Sequence, residues 1–276
     1  MDCYFCSVSA FNGRKFRQRP YEEVLDELEQ MPQRYIFFVD DNILGYGKNA
    51  EERAINLFKG MVERKLNKTW FCQASLNFGS NEEVIKWAAK AGCRMVFLGL
   101  ESADPEELKA MDKKLNLQLD YEKAFQNINK FKIAVLGAFI FGSDAETKES
   151  MWRKVKYILK NRIDVIQTTT LTPLPGTRLF KELEQKNRLI HTNFPQDWNL
   201  YDMGHLTFKV NNMSNDDFLR IHKKCSKKLF SKITLYKKFL KTWSHCRSLQ
   251  TSMWAYSSNK NYRNVSLSNS GQFKKN

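Results

Sequence analysis

The sequence predicts an α/β fold in which parallel strands are joined by helical crossovers. Two patterns carry this: apolar runs alternate with amphipathic segments as far as Lys186, and each apolar run ends in small or acidic residues. The strand segments are 35–40, 69–75, 95–101, 135–142 and 165–172. They are near-continuous runs of β-branched, aromatic and aliphatic residues, as strands covered on both faces should be. The helical segments are 21–30, 50–65, 82–91, 121–130, 147–160 and 178–186. Several carry a start signal: Pro20 before Glu22 and Glu23, Ser80 and Asn81 before Glu82 and Glu83, and Asp144 leading into Glu146 and Thr147. Strict β–α alternation is the pattern of parallel strands with crossovers. The strand ends read Asp40-Asp41-Asn42, Gln73-Ala74-Ser75, Glu101-Ser102, Gly142-Ser143-Asp144 and Thr172-Pro173. Ligand sites in parallel α/β folds form at the carboxyl ends of strands. Five such ends converging favour a barrel or partial barrel over a flat sheet. Neither GxGxxG nor GxxxxGK[ST] occurs, so a dinucleotide or P-loop site lacks its phosphate-cradling loop.

Composition narrows the function classes. The 20 Phe among 276 residues exclude low-complexity disorder, and 12 Gly with 6 Cys exclude collagen-like and disulfide-dense scaffolds. The longest apolar run, 133–142, is far short of the roughly 20 residues of a membrane span. No secretory segment opens the chain, so the expected compartment is the cytoplasm, with peripheral membrane contact as a variant. The net charge of +15 is localised: from Phe218 to Asn276 there are 14 Lys and Arg and no acid, leaving 31 bases against 30 acids elsewhere. Such a basic end suits nucleic acid, an anionic membrane, or simply a solvated helix face.

The pattern changes after Lys186. Residues 188–212 are aromatic-rich and irregular, with Trp198, Tyr201, His205 and Phe208. Asn215 then caps a helix with Asp216 and Asp217 in its first turn. Phe218, Ile221, Cys225, Leu229, Ile233, Tyr236, Leu240 and Trp243 follow at spacings of three and four, one apolar stripe opposed by lysines. Beyond Ser244 the chain is rich in Ser and Asn without periodicity, which predicts disorder. The domain reading is therefore 1–187 for the barrel, 188–245 for a mostly helical extension, and 246–276 for a disordered tail.

The chemistry-bearing motif is Cys3-Tyr-Phe-Cys6. By itself C-x-x-C reads as half a zinc site, a redox pair or coincidence. Cys72, Cys93, Cys225 and Cys246 are single and widely spaced, so no second zinc-type pair exists, and a thioredoxin-like motif would follow a strand. Followed in order by Phe38-Val-Asp40-Asp41-Asn42, Gly99-Leu-Glu101-Ser102, Gly137-Ala-Phe-Ile-Phe-Gly142-Ser-Asp144 and Leu174-Pro175-Gly176-Thr177, the motif resembles the catalytic half of a radical S-adenosylmethionine (SAM) enzyme of the cobalamin-binding-domain type. The resemblance runs from residue 2 to about residue 245.

That resemblance implies a partial (β/α)6-type, TIM-like barrel lacking its first strand. It also implies a [4Fe–4S] cluster and SAM as cofactors, cobalamin through a domain missing at the N-terminus, and a low-potential electron donor of flavodoxin or ferredoxin type. Cys3 and Cys6 match the second and third cysteines of C-x-x-x-C-x-x-C. The first would fall before Met1, so the expectation is an N-terminally truncated frame begun at an internal Met. Two thiolates do not satisfy three irons. Phe5 would lie against the SAM adenine, its alternative being plain packing. Asp40 and Asp41 stand where the family meets the methionine ammonium, a charge-assisted contact; their alternative is a helix cap at Asp41-Asn42. Glu101 matches the acid that reaches SAM's ribose or amino-acid part. Gly142 and Ser143 would let the backbone approach adenine, while Asp144 could merely cap the helix near Thr147. The segment 173–177 is a rigid loop or a plain turn before a helix. Cys72, Cys93 and Cys225 read as core positions. The implied reaction is cobalamin-dependent C-methylation of an apolar or lipid-like substrate, with nucleic acid disfavoured. The alternatives are an RNA-modifying, methylthiotransferase-like radical SAM enzyme, and an inactive fragment with an exposed apolar edge at 35–40.

Overall fold

Near-continuous apolar strands demand cover on both faces, and the two faces of this sheet are covered in different ways. The structure, a computed structural model, describes residues 3–13 and 16–269. In chain order its elements are α1 (Ser7–Asn12), α2 (Tyr21–Gln30), β1 (Tyr35–Phe38), α3 (Lys48–Glu63), β2 (Thr69–Ala74), α4 (Glu82–Lys90), β3 (Cys93–Glu101), α5 (Pro105–Ala110), α6 (Lys114–Leu117), α7 (Tyr121–Lys130), β4 (Ala134–Phe141), α8 (Lys148–Lys160), β5 (Val165–Thr170), α9 (Arg178–Gln185), α10 (Asn215–Leu229), α11 (Lys232–Cys246) and α12 (Leu249–Asn269). The strands are all parallel in the order β1-β2-β3-β4-β5, an open sheet with β1 and β5 at its edges. All five expected strands and six expected helices are present. The short α1, α5 and α6 were not foreseen, being too brief to show a helical period.

The outer face of the sheet packs against the crossover helices. Trp70, Cys72, Val96, Leu98, Val135, Phe139 and Ile166 point this way and are buried with Leu57, Phe58, Ile85, Phe125, Ile158 and their neighbours. Cys72, Cys93 and Cys225 are core residues, as expected. The register places the alternate positions on the inner face: Phe37 beside Phe71, Phe71 beside Met95, Phe97 beside Leu136, and Leu136 beside Val165. This face is open at its first edge, where Tyr35, Phe37 and Val39 are exposed.

The C-terminal part departs from expectation twice. The apolar stripe from Phe218 to Trp243 is not one helix. α10 stops at Phe230, and Ser231 caps α11, its hydroxyl accepting from the Thr234 amide at 3.1 Å. In α10 the stripe faces inward, with Phe218, Ile221, Cys225 and Leu229 buried. In α11 the turn reverses it: Thr234, Leu235, Lys238 and Thr242 are buried, and Ile233, Tyr236, Leu240 and Trp243 face out. The reason is polar. α11 crosses the strand amino ends, where carbonyls closing α8 and opening β5 need donors. Lys238 Nζ supplies them, donating to Ile158 O and Ile163 O at 2.6 Å each, while Thr242 Oγ1 donates to Asp164 Oδ1 at 2.8 Å.

The second correction concerns the tail read as disordered. Residues 249–269 form α12, which enters the half-barrel and closes the amino-terminal part of its inner face; the rest of that expectation, 270–276, lies outside the described residues. Ala255 is buried against Met95, Ala134, Leu136 and Val165, with Trp254 and Tyr262 alongside. Asn259 does for β5 what a neighbouring strand would do. Its Oδ1 accepts from the Ile166 amide at 3.0 Å and its Nδ2 donates to Asp164 O at 2.8 Å. The Ser and Asn content that suggested disorder thus includes a buried strand surrogate.

Asn259→Leu leaves those two backbone groups buried and unpaired, at about 1–3 kcal/mol each. Urea denaturation is expected to show a loss of about 2–6 kcal/mol; a loss within experimental error would mean that α12 does not cap β5. A second outcome concerns pH. His222 stacks on Phe218 and meets Phe141 edge-on, and burial together with the charge of Lys154 lowers its pKa to about 4. Unfolded, it takes its proton near 6.5; folded, only near 4. Stability is therefore full above pH 6.5 and falls as pH drops towards 4, by about 3 kcal/mol from this residue. His222→Phe is expected to flatten that part of the stability–pH curve, and identical curves would contradict it.

Candidate active site

At the other end of the inner face, beyond the reach of α12, lies a cavity of about 550 Å³. Three successive strand ends and the N-terminal segment build it. After β1 come Asp40, Asp41, Asn42 and Tyr46; β2 contributes Gln73, Ala74 and Ser75; β3 contributes Phe97, Gly99 and Glu101; Cys3, Phe5 and Cys6 close it from the N-terminal side. The loop after β1 is tied to the end of β2. Ile43 N donates to Gln73 O at 2.9 Å, Ser75 N to Asn42 Oδ1 at 3.3 Å, and the Tyr46 and Ser75 hydroxyls lie 2.6 Å apart. α3 begins only at Lys48, capped by Gly47, so Asp41 and Asn42 cap no helix and the capping alternative falls.

Glu101 is the strained member. It sits at φ +61°, in the left-handed region, where the pairing of β3 with β4 shifts register. Non-glycine residues hold such a conformation only when the surroundings over-determine it. Here the tie is Lys113, whose Nζ donates to Glu101 Oε1 at 2.7 Å with both side chains buried. Gly99 makes room for the pair: a Cβ there would lie 2.7 Å from Glu101 Oε1 and 3.3 Å from Lys113 Nζ. Burial works against the Lys113 ammonium, but Glu101, Cys3 and Tyr46 outweigh it and its pKa is raised. Burial raises the Cys3 thiol, with Lys113 opposing. The lysine thus places positive charge on the wall shared by a thiol and a carboxylate. Asn116 steadies the same bend, donating from Nδ2 to Gly99 O at 3.0 Å and Leu100 O at 3.1 Å.

The thiols are held by the turn between them and by α9. Cys6 N donates to Cys3 O at 3.1 Å, Leu179 N to Tyr4 O at 3.2 Å, and Tyr4 Oη to Glu182 Oε2 at 2.7 Å. The segment before α9 is a plain turn: Thr177 caps that helix, accepting from Phe180 N at 3.2 Å. Of the residues singled out from the sequence, Cys3, Phe5, Cys6, Asp40, Asp41 and Glu101 come together around this cavity, while Gly142 and Ser143 stand one strand further along, off its lining. Asp144 caps no helix; it holds Arg188 in a two-pronged pair at 2.6 and 2.8 Å, and Thr147 caps α8. His205 lies against Asp202, its Nδ1 2.9 Å from Oδ1.

Two features were missed. Lys113 arrives on a short segment without periodicity, and no motif announces it. Glu146 was read only as part of a helix start, yet it fixes the end of β4. Its Oε2 accepts from Gly142 N at 2.5 Å, and its other oxygen meets Lys154, which also pairs with Glu107 at 2.8 Å and donates to Ile140 O at 2.6 Å. Ser102 and Ser150 donate to Glu107 at 2.6 and 2.7 Å. Burial raises the Glu146 pKa against the pull of Lys154, with Glu107 adding to the rise. A buried charge survives only when paired and hydrogen-bonded in this way.

The cavity's carboxylates, amides and backbone suit an amino acid and a nucleoside. Among the described residues, however, two cysteine thiols face it and no group of three or more His, Cys, Asp or Glu side chains is placed to hold a metal ion. The described residues fit SAM and supply only part of a cluster's ligands.

Comparison with known proteins agrees with this geometry. The family model of the radical SAM superfamily matches residues 1–158. Bacteriochlorophyllide d C-12(1)-methyltransferase of Chlorobaculum tepidum is 33% identical over 242 residues, covering 86% of this chain and 50% of that protein. Hopanoid C-2 methylase of Rhodopseudomonas palustris is 28% identical over 193 residues, covering 68% of this chain and 37% of that protein. The chain thus spans half or less of the length of these relatives. In fold it is similar to the cobalamin-dependent SAM radical enzyme OxsB, with a TM-score of 0.65 at 15% identity over 96% of this chain and 44% of that one. It is also similar to the radical SAM methyltransferase TsrM of Kitasatospora setae, with a TM-score of 0.58 at 19% identity over 70% of this chain and 36% of that one. With a family model matching more than half its length, met on a sheet whose carboxyl ends enclose the Cys3–Cys6 turn, the chain belongs to the radical SAM superfamily.

Proposed function

We propose that this chain is the SAM-binding, radical-generating half of a methyltransferase that acts on an unreactive carbon of an apolar substrate. The observation that carries the reading is the buried Glu101–Lys113 pair on the cavity wall beside Cys3. It fixes a carboxylate on the cavity wall, where hydroxyls or an ammonium of a bound nucleoside–amino acid would find an acceptor. In this reading Asp40 and Asp41 take the methionine ammonium, Glu101 takes ribose hydroxyls or the amino-acid part, and Phe5 lies against adenine. Asn42 Nδ2, buried beside Tyr46 on the cavity lining, is a further donor within reach of a ligand carboxylate. Gly142 and Ser143 keep the next strand end in place through Glu146 and have no direct part. Reductive SAM cleavage is chemistry an iron–sulfur cluster supplies when bound; Cys3 and Cys6 would be two of its ligands. What the chain's own residues do is orient SAM and shut water out from one side.

The methyl-transfer part of the proposal rests on the names of the relatives, two of which act as methyltransferases on a bacteriochlorophyllide and a hopanoid. Cobalamin and a low-potential electron donor belong to the same proposal. The RNA-modifying alternative gains little support, because the lysines of α11 lie at the strand amino ends, across the sheet from the cavity.

Calorimetric titration of the chain with SAM tests the site. Glu101→Gln is expected to weaken binding at least about tenfold, the equivalent of about 1.4 kcal/mol for a lost charged hydrogen bond. Lys113→Met leaves Glu101 buried and unpaired, and is expected to cost about 3–5 kcal/mol of stability besides weakening binding. SAM binding that neither substitution changes would place the ligand elsewhere.

A further inference from the structure

α11 presents its solvent side the wrong way round for an ordinary surface helix. Thr234, Lys238 and Thr242 are buried, whereas Ile233, Tyr236, Leu240 and Trp243 are 69, 60, 40 and 54% exposed. Their spacing of three, four and three residues lines them along one stripe. Exposed Lys237 and Lys241 flank the stripe, and neither α11 nor α12 contains an acid. The surface continues onto α8, where Trp152 is 42% exposed beside Lys156 and Lys160. A groove bounded by Lys228, Leu159 and Ile233 joins the two helices. Further bases collect at the same end of the sheet: exposed Arg34, Lys65, Lys90, Lys132 and Arg162 precede the five strands in turn. Bases that merely complement helix C-termini need no apolar stripe beside them, and single exposed apolar residues would need no explanation. Four large ones on one helix face, with lysines alongside and no acid anywhere on the helix, do.

We propose that the outward face of α11, with the adjoining part of α8, is a docking surface for an anionic lipid bilayer. Its chemistry is that of an in-plane interfacial helix: aliphatic side chains for the acyl boundary, Trp and Tyr for the headgroup level, and lysines for lipid phosphates. A second copy of the chain is a poor occupant, because the lysines would face their own kind. A nucleic acid would use the lysines but leave Ile233 and Leu240 without partners. α11 itself lies at the strand amino ends and the cavity at the carboxyl ends, so docking through α11 leaves the cavity uncovered. The proposal is independent of the catalytic reading, as no residue of the face touches the cavity.

Sedimentation of the full chain with phosphatidylcholine vesicles, with and without phosphatidylglycerol, tests it. Binding is expected to the mixed vesicles alone and to weaken with salt. At about fivefold per base near the surface, Lys237→Ala with Lys241→Ala is expected to reduce it about thirtyfold. Leu240→Ser with Trp243→Ser is expected to abolish it with the melting temperature unchanged, since both side chains are exposed. Brominated lipid is expected to quench the fluorescence of the parent and to lose most of that effect when Trp152→Phe and Trp243→Phe are combined. Absence of binding to the anionic vesicles, equal binding to neutral ones, or insensitivity to Leu240→Ser with Trp243→Ser would overturn the proposal. So would binding of poly(U) that outcompetes the vesicles.

Discussion

Five parallel strands cannot close on themselves, and that constraint organises the rest of the molecule. Closed parallel barrels fill their interior with layers of their own side chains. A half-barrel has an inner face with too few strands opposite to cover it. The chain meets this need from its own C-terminus. α12 lies in the amino-terminal part of the concave face, covering Leu136 and Val165 and sealing the β5 edge through Asn259. What it leaves uncovered is the carboxyl-terminal part, where a polar cavity is the physical complement of the plug. Phe97 marks the border, packing against the α12 cluster and lining the cavity as well.

Charge is distributed around that border in a consistent way. Two lysines are buried at the carboxyl ends of adjacent strands, Lys113 against Glu101 and Lys154 against Glu107 and Glu146. Neither pair is there for net stability, since buried ion pairs barely offset their own desolvation. Each fixes a strand end instead. Lys154 and Glu146 hold the turn at Gly142, and Lys113 holds the left-handed bend at Glu101. The second of these opens on the cavity.

Much of this was legible in the sequence, for reasons that differ from element to element. The strands and crossover helices were readable because burial on two faces forces apolar runs, and burial on one face forces a 3.6-residue period. The cavity's carboxylates were readable because strand ends in parallel folds converge, so Asp40, Asp41 and Glu101 stood out without coordinates. The meeting of Cys3 with Lys113 was not readable, since it depends on how two irregular segments lie across the mouth. α11 and α12 misled for a common reason: both bury polar groups against unpaired backbone, Lys238 and Thr242 in one, Asn259 in the other. A hydrophobicity pattern places such residues on the outside, which is why the stripe of α11 was turned inward and α12 was dissolved into a tail.

The division of the inner face into a plugged end and a ligand-receiving end is the claim on which the rest stands. Amide hydrogen exchange of the chain, with and without S-adenosylhomocysteine, tests it most directly. The account predicts that amides of 165–167 are strongly protected without ligand and unchanged by it, and that the ligand slows exchange in 40–46, 73–75 and 99–101. Fast exchange at Ile166 in the free chain, or ligand protection centred on α11 and α12, would contradict it.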